Sequence, residues 1–262
     1  MRRRSWIGLV LIAPLALAML APFLYMVLRS VVDASGMPRW SDANYRAALD
    51  ALPFPRFLVN SVVLAGGAAV AQVLTSATAA YAFARLRFPG RDRVFLAVLA
   101  MLIMPTVVLI VPRFLMIDAL GWVDSYAGLL STELVSVWGI FFLRQYFLTL
   151  PRDLEDAARL DGAGEWTIFW RVMLPLAKPG LVTLGLLAFV NQWKSFLWPL
   201  VATRSLDMRV LEVGLERFHG LYWSNEPVQM AAAVITTLPL LIVFVVAQRY
   251  VIRGLPLSAS RS

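Results

Sequence analysis

The chain has 262 residues, of which 60% are hydrophobic and 15% charged, with a formal net charge of +8. Soluble domains are about 45–50% apolar and about 25% charged, so this is the composition of an integral membrane protein. The absence of cysteine excludes disulfides and thiolate metal sites, and a single histidine, His219, excludes a cluster of His ligands; alone it reads as a surface or packing residue.

Six apolar segments are long enough to cross a hydrocarbon core about 30 Å thick, which takes roughly 20 helical residues. In chain order they are Trp6–Leu28, Phe57–Ala84, Val94–Pro112, Ser125–Leu143, Gly180–Thr203 and Val228–Gln248. Lipid offers no water to backbone amides, so each span must be helical. The expected fold is all-α and polytopic, a single transmembrane domain over residues 1–262 with a cytoplasmic loop at about 149–178. The first span follows Arg2, Arg3 and Arg4 as a signal peptide would, but its apolar run exceeds a signal core of about 7–15 residues and reads as a retained helix. The second carries Gly66, Gly67, Ala68, Ala69, Ala71, Ala77, Ala79 and Ala80, small side chains that let helices approach closely. Pro14, Pro22, Pro105, Pro199 and Pro239 each remove a backbone hydrogen bond and are expected to bend their helices. Two outer segments, about 31–56 and 204–227, are large enough to meet an external partner or to be plain connections.

Basic residues collect in cytoplasmic loops, which also accounts for the positive charge without nucleic acid as a partner. With the N-terminus inside, fifteen of the 24 Lys and Arg residues fall in inner segments, so both termini are expected in the cytoplasm. The two lysines, Lys178 and Lys194, are in no G-x-x-x-x-G-K-[ST] loop, so no cofactor is expected on this chain and any ATP and Mg belong to a partner.

The segment Glu155–Pro179 is a polar island between apolar runs. Asp153 is placed to cap a short helix whose first turn carries Glu155 and Asp156, acids that complement the helix dipole. Gly162 and Gly164 are expected to end it in the left-handed conformation. A second amphipathic stretch, Trp166–Met173, stops at Leu174-Pro175, and Pro179 opens the fifth span. A helix of about eight residues is unstable alone in water, so something holds it. A protein groove suits its charges. Lipid headgroups are the alternative, and Glu155, Asp156 and Asp161 would then face anionic lipid.

The order Glu155-Asp156-Ala157-Ala158, Asp161-Gly162-Ala163, Phe169, Val172, Leu174-Pro175 and Pro179 resembles the EAA loop of type I ABC importer permeases. The Asp-Gly-Ala version is similar to that of the carbohydrate-uptake, maltose-type class. Tyr81 to Arg91, Phe142 to Phe147, Met230 to Pro239, and Gln248 to Leu255 resemble other parts of the same class in the same order. The resemblance implies a coupling helix over Glu155 to Ala163, with Glu155 contacting a separate ATPase and Gly162 making the turn. It also implies a homologous permease as partner, two ATPase subunits, an external solute-binding protein, and a place in the plasma membrane of a bacterium or archaeon. The tail after Gly254 is a further candidate contact with the ATPase.

In the fifth span, Trp193 and Trp198-Pro199-Leu200 match the family pattern, whereas Lys194 and Ser195 stand where Asn and an acid are usual. Lys194 and Glu133 are the ionisable residues well inside the assigned spans, and charges there usually face a cavity or a partner. They are expected to line the pathway and pair. Asn191 and Gln192 join them as candidate lining groups, and Trp193 and Trp198 would offer stacking surface to a sugar ring. Snorkelling of Lys194 and interfacial anchoring by the tryptophans are the alternatives. A stand-alone secondary carrier or channel built on Glu133 and Lys194, and a permease for a non-sugar solute, are the competing functions. A membrane enzyme would need a convergent set of nucleophile, base or metal ligands, and none is evident.

Overall fold

The computed structural model describes residues 2–32, 41–221 and 225–254. The side chain of His219 and the tail after Gly254 lie outside the described part. Among the described residues every regular element is helical. The chain divides into two compact units, one made of residues 1–55 and 211–239, the other of 56–210 and 240–262.

The first unit contains α1 (Arg2–Ser30), α2 (Ala43–Ala51) and, further along the chain, α13 (Leu211–Leu221). Asn44 donates to the carbonyl oxygens of Ser30 and Val32 at 2.9 and 2.8 Å, which seats the start of α2 on the otherwise unsatisfied end of α1. The predicted first, second and sixth spans are each one continuous helix: α1, α3 (Phe54–Arg85) and α14 (Glu226–Gly254). Pro14, Pro22 and Pro239 lie within continuous helices.

The other three expected spans are broken. The third is α4 (Arg91–Ala100) with a 3₁₀ turn to Ile103, then a second turn from Thr106 leading into α5 (Ile110–Ala119); the two halves meet at 91°. Pro105, extended at ψ 128°, makes that corner. The fourth is two helices, α6 (Tyr126–Ser131) and α7 (Val137–Thr149). Ser125 and Ser136 cap them by accepting from the amides of Gly128 and Gly139. After α8 (Asp153–Leu160), α9 (Glu165–Ile168), a π-turn over Phe169–Met173 and α10 (Leu174–Leu176), the fifth begins as α11 (Lys178–Trp193) at 76° to the segment before it. It breaks at Lys194 and resumes as α12 (Leu197–Ala202).

In the second unit the inner face of α3 is lined by Ala65, Ala68, Ala77, Ala80 and Ala84, all buried. Glycines on its neighbours extend the same close approach. A Cβ on Gly139 would lie 2.6 Å from the Ser76 hydroxyl, and one on Gly180 would lie 2.9 Å from the Tyr146 ring. Without a hydrophobic drive between helices in lipid, such contacts supply the packing energy. The cluster formed by Tyr81, Leu143, Phe147, Ile168, Phe169, Met173 and Leu184 then binds α3, α7, α11 and the segment between α8 and α11 into one core.

Candidate functional site

The polar island folds into a helix, a turn and a second helical segment. Asp153 is the first residue of α8 rather than its cap; Arg152 occupies the cap position without a side-chain bond, and the acids of the first turn complement the free amides instead. The helix ends in a Schellman motif. Gly162, at φ 82°, donates to Arg159 O at 3.0 Å, and Ala163 donates to Ala158 O at 2.9 Å. Gly164, at φ −73° and ψ 160°, is not left-handed; it is the extended residue that starts α9. The second segment runs through Pro175 to Leu176 by way of the π-turn, because Pro175 sits in the first turn of α10, where it forfeits no bond.

The segment has two faces. Phe169 is buried against Tyr81, ring centroids 5.1 Å apart, while Ala158, Ala163 and Leu174 are half-buried. On the other face Leu154, Asp156, Ala157, Asp161, Gly162 and Pro175 are exposed, and Leu160 is 90% exposed. Glu155 departs from its expected place. Its carboxylate faces inward, 3.0 Å from Arg85, both side chains being 3% exposed or less. The resemblance put Glu155 at the surface of the loop; its own chain holds it inside, because Arg85 arrives at the end of α3. Arg159 bridges Glu155 and Glu165, and Tyr81 donates to Glu165 at 2.8 Å. Sequence reasoning missed Arg85 and Tyr81 as members of the site, although an arginine four residues after a tyrosine, among alanines at a span's end, was the available signal.

The hydrogen bond from Arg159 holds Glu165 below the usual glutamate range; burial opposes this and the Tyr81 hydroxyl adds to it. A carboxylate with a lowered folded pKa contributes stability above its unfolded value of about 4.3 and loses it as pH falls through the lower folded value. The difference in melting temperature between wild type and Glu165→Gln, measured in detergent, is therefore expected to be flat from about pH 8 to 5 and to shrink below about pH 4.

The second group of candidate residues gathers where α6 breaks from α7. Glu133 pairs with Arg113 of α5 and accepts from the Gln192 amide at 2.5 Å. The expected partner, Lys194, is exposed just beyond α11, and its place is taken by Arg113. Side chains of α3 satisfy the carbonyls freed by the break: Gln72 donates to Glu133 O at 2.8 Å and Thr75 to Leu134 O at 2.9 Å. Trp193 and Trp198 are 3% and 4% exposed and offer no stacking surface. Trp193 stacks on Phe189, and Trp198 donates to Leu129 O beneath the Arg113 guanidinium, which lies 4.2 Å from its ring. Asn191 is exposed and lines, with Gln72, Ser136 and Trp138, a cavity of about 320 Å³.

Apolar helices, several of them broken, carrying one exposed polar helix and turn are the architecture of a polytopic membrane protein. The chain belongs to the family described as binding-protein-dependent transport system inner membrane component, whose model matches residues 72–255. It is 40% identical over 196 residues to the arabinooligosaccharides transport system permease protein AraQ of Halalkalibacterium halodurans, covering 75% of this chain and 70% of that protein. It is 36% identical over 207 residues to the sn-glycerol-3-phosphate transport system permease protein UgpE of Yersinia pestis, covering 78% and 73%. A chain from the crystal structure of a bacterial ABC transporter involved in the import of the acidic polysaccharide alginate matches with a TM-score of 0.81 at 27% identity, covering 95% of this chain and 96% of that one. A second chain, from a bacterial alginate ABC transporter in complex with a periplasmic protein bound to alginate pentasaccharide, shares the fold with a TM-score of 0.70 at 16% identity.

Proposed function

We propose that this chain is one of two homologous permease subunits of an ATP-driven importer and forms half of the pathway for a sugar or sugar-like solute. Two ATPase subunits bind and hydrolyse ATP, and an external solute-binding protein delivers the cargo. The observation that carries this reading is α8. An isolated eight-residue helix would not persist. This one is fixed from behind by its core contacts and ion pairs, and it turns Leu154, Ala157, Leu160 and Asp161 outward. That surface suits a cleft in a cytoplasmic ATPase, on the side to which the excess of basic residues in the inner segments assigns both termini. The two permease relatives named for arabinooligosaccharides and glycerol-3-phosphate support a polyhydroxylated cargo in a bacterial or archaeal plasma membrane.

Co-expression of the tagged chain with the permease and ATPase encoded beside it tests the reading. A complex of two permeases and two ATPases, whose ATP hydrolysis rises when the solute-binding protein carries sugar, is the expected result. A chain that purifies alone while its neighbours are well expressed would favour a stand-alone carrier.

A further inference from the structure

Arg85 is the last residue of α3, and its side chain is 2% exposed. Its guanidinium serves three partners. Nε lies 3.0 Å from Glu155 Oε1 on α8, and Nη2 donates to the carbonyl oxygens of Phe147 and Leu150, at 2.5 and 2.7 Å, where α7 ends. The Nε–Oε1 approach lacks hydrogen-bond alignment, so charge holds the pair together. One turn earlier on α3, Tyr81 donates to Glu165 Oε2 of α9. Arg159 closes the ring, with Nε 2.9 Å from Glu165 Oε1 and Nη2 3.4 Å from Glu155 Oε2. One helix thus grips the coupling segment at two carboxylates, and a single cation ties those carboxylates to each other.

Burial decides what such an array can do. An exposed ion pair exchanges partners with water and transmits little. Separating Arg85 from Glu155 would strip two nearly fully buried side chains of the opposite charge beside them, so the elements they join resist moving apart. We infer that Arg85 and Tyr81 fasten the coupling segment to α3 and the end of α7 as one rigid body, so that displacement of α8 by an ATPase reaches the membrane-spanning helix undiminished. This rests on the coupling reading of α8. Arg85 is a positioning residue, and arginine suits the task because its planar guanidinium donates through Nη2 to two carbonyls while its charge faces the carboxylate; a lysine is a compact point charge on a flexible stem.

The test uses the complex reconstituted with its companion permease and ATPase. Arg85→Gln with Glu155→Gln removes both charges, so neither is left buried alone. ATP hydrolysis is expected to stay within about twofold of wild type while solute imported per ATP falls at least about tenfold, with Arg85→Lys intermediate. Because the chain has no cysteine, spin labels can be placed through cysteines at the exposed positions of Thr78 on α3 and Thr167 on α9, away from the outward face of α8. Their distance distribution is expected to stay single and narrow with and without ATP in the wild-type background and to broaden in the double variant. Unchanged import per ATP in the double variant, or a Thr78–Thr167 distance that shifts with ATP in the wild-type background, would overturn the inference. Should the double variant fail to assemble, Arg85→Lys and Tyr81→Phe carry the same two readouts. A wild-type complex with no ATP-driven uptake would instead overturn the coupling reading, and the label distances in the purified chain would still decide whether the two elements are rigidly joined.

Discussion

Glu133→Ala is expected to destabilise the protein by about 3–5 kcal/mol, the cost of stranding one member of a buried ion pair. The Arg113 and Glu133 side chains are 20% and 16% exposed, so water screens the remaining charge poorly. The Gln192 amide would lose its acceptor as well. A melting temperature measured in detergent should fall on the order of 10 °C. Glu133→Gln keeps one acceptor oxygen, enough for Arg113 or Gln192 but not both, and should cost less than the alanine. Lys194→Ala removes an exposed side chain and should stay within about 0.5 kcal/mol of wild type. Equal, small effects at both positions would mean that Glu133 and Arg113 do not hold the break between α6 and α7.

Gly162→Val should abolish coupling while the protein still reaches the membrane. The position is at φ 82°, and a Cβ there would meet nothing within 4 Å, so the cost is one of backbone conformation alone. A left-handed conformation costs an L-residue roughly 1–2 kcal/mol, and a β-branched one more. The chain escapes by leaving that conformation, which breaks the two bonds that end α8 and re-aims Leu160 and Asp161. Solute-stimulated ATPase activity is expected to fall at least about tenfold, since a helix this short has no reserve of its own. Gly164→Val is the control. That residue is extended with open space around it and should accept the change. Equal activity in both variants would remove the turn from the mechanism.

Some of the architecture was legible from the sequence and some was not, for identifiable reasons. The α1, α3 and α14 helices could be read because an apolar run and a continuous helix coincide there. The left-handed turn at Gly162 was legible because glycine at the end of a short helix has few other uses. The break at residues 132–136 was hidden, since an apolar run does not reveal that its carbonyls are satisfied by Gln72 and Thr75 some 60 positions earlier. Arg113 was hidden as the partner of Glu133 because it lies on a separate helix, 20 residues earlier, that only the fold brings alongside. Trp193 and Trp198 looked like stacking surfaces because aromatic identity is visible in a sequence and burial is not. Glu155 was legible as important and misread in direction: its counter-ion sits 70 residues away at the end of α3.

The central claim, that α8 is the surface on which an ATPase works, is tested most directly by a single cysteine at Leu160, the most exposed apolar side chain of the segment, in this cysteine-free chain. Leu160→Cys, carrying a short photo-activated crosslinker in the assembled complex, should join the ATPase subunit, and the yield should change when ATP binds. A label that reacts fully yet crosslinks only to lipid or to the companion permease, in a complex that contains the ATPase, would contradict it.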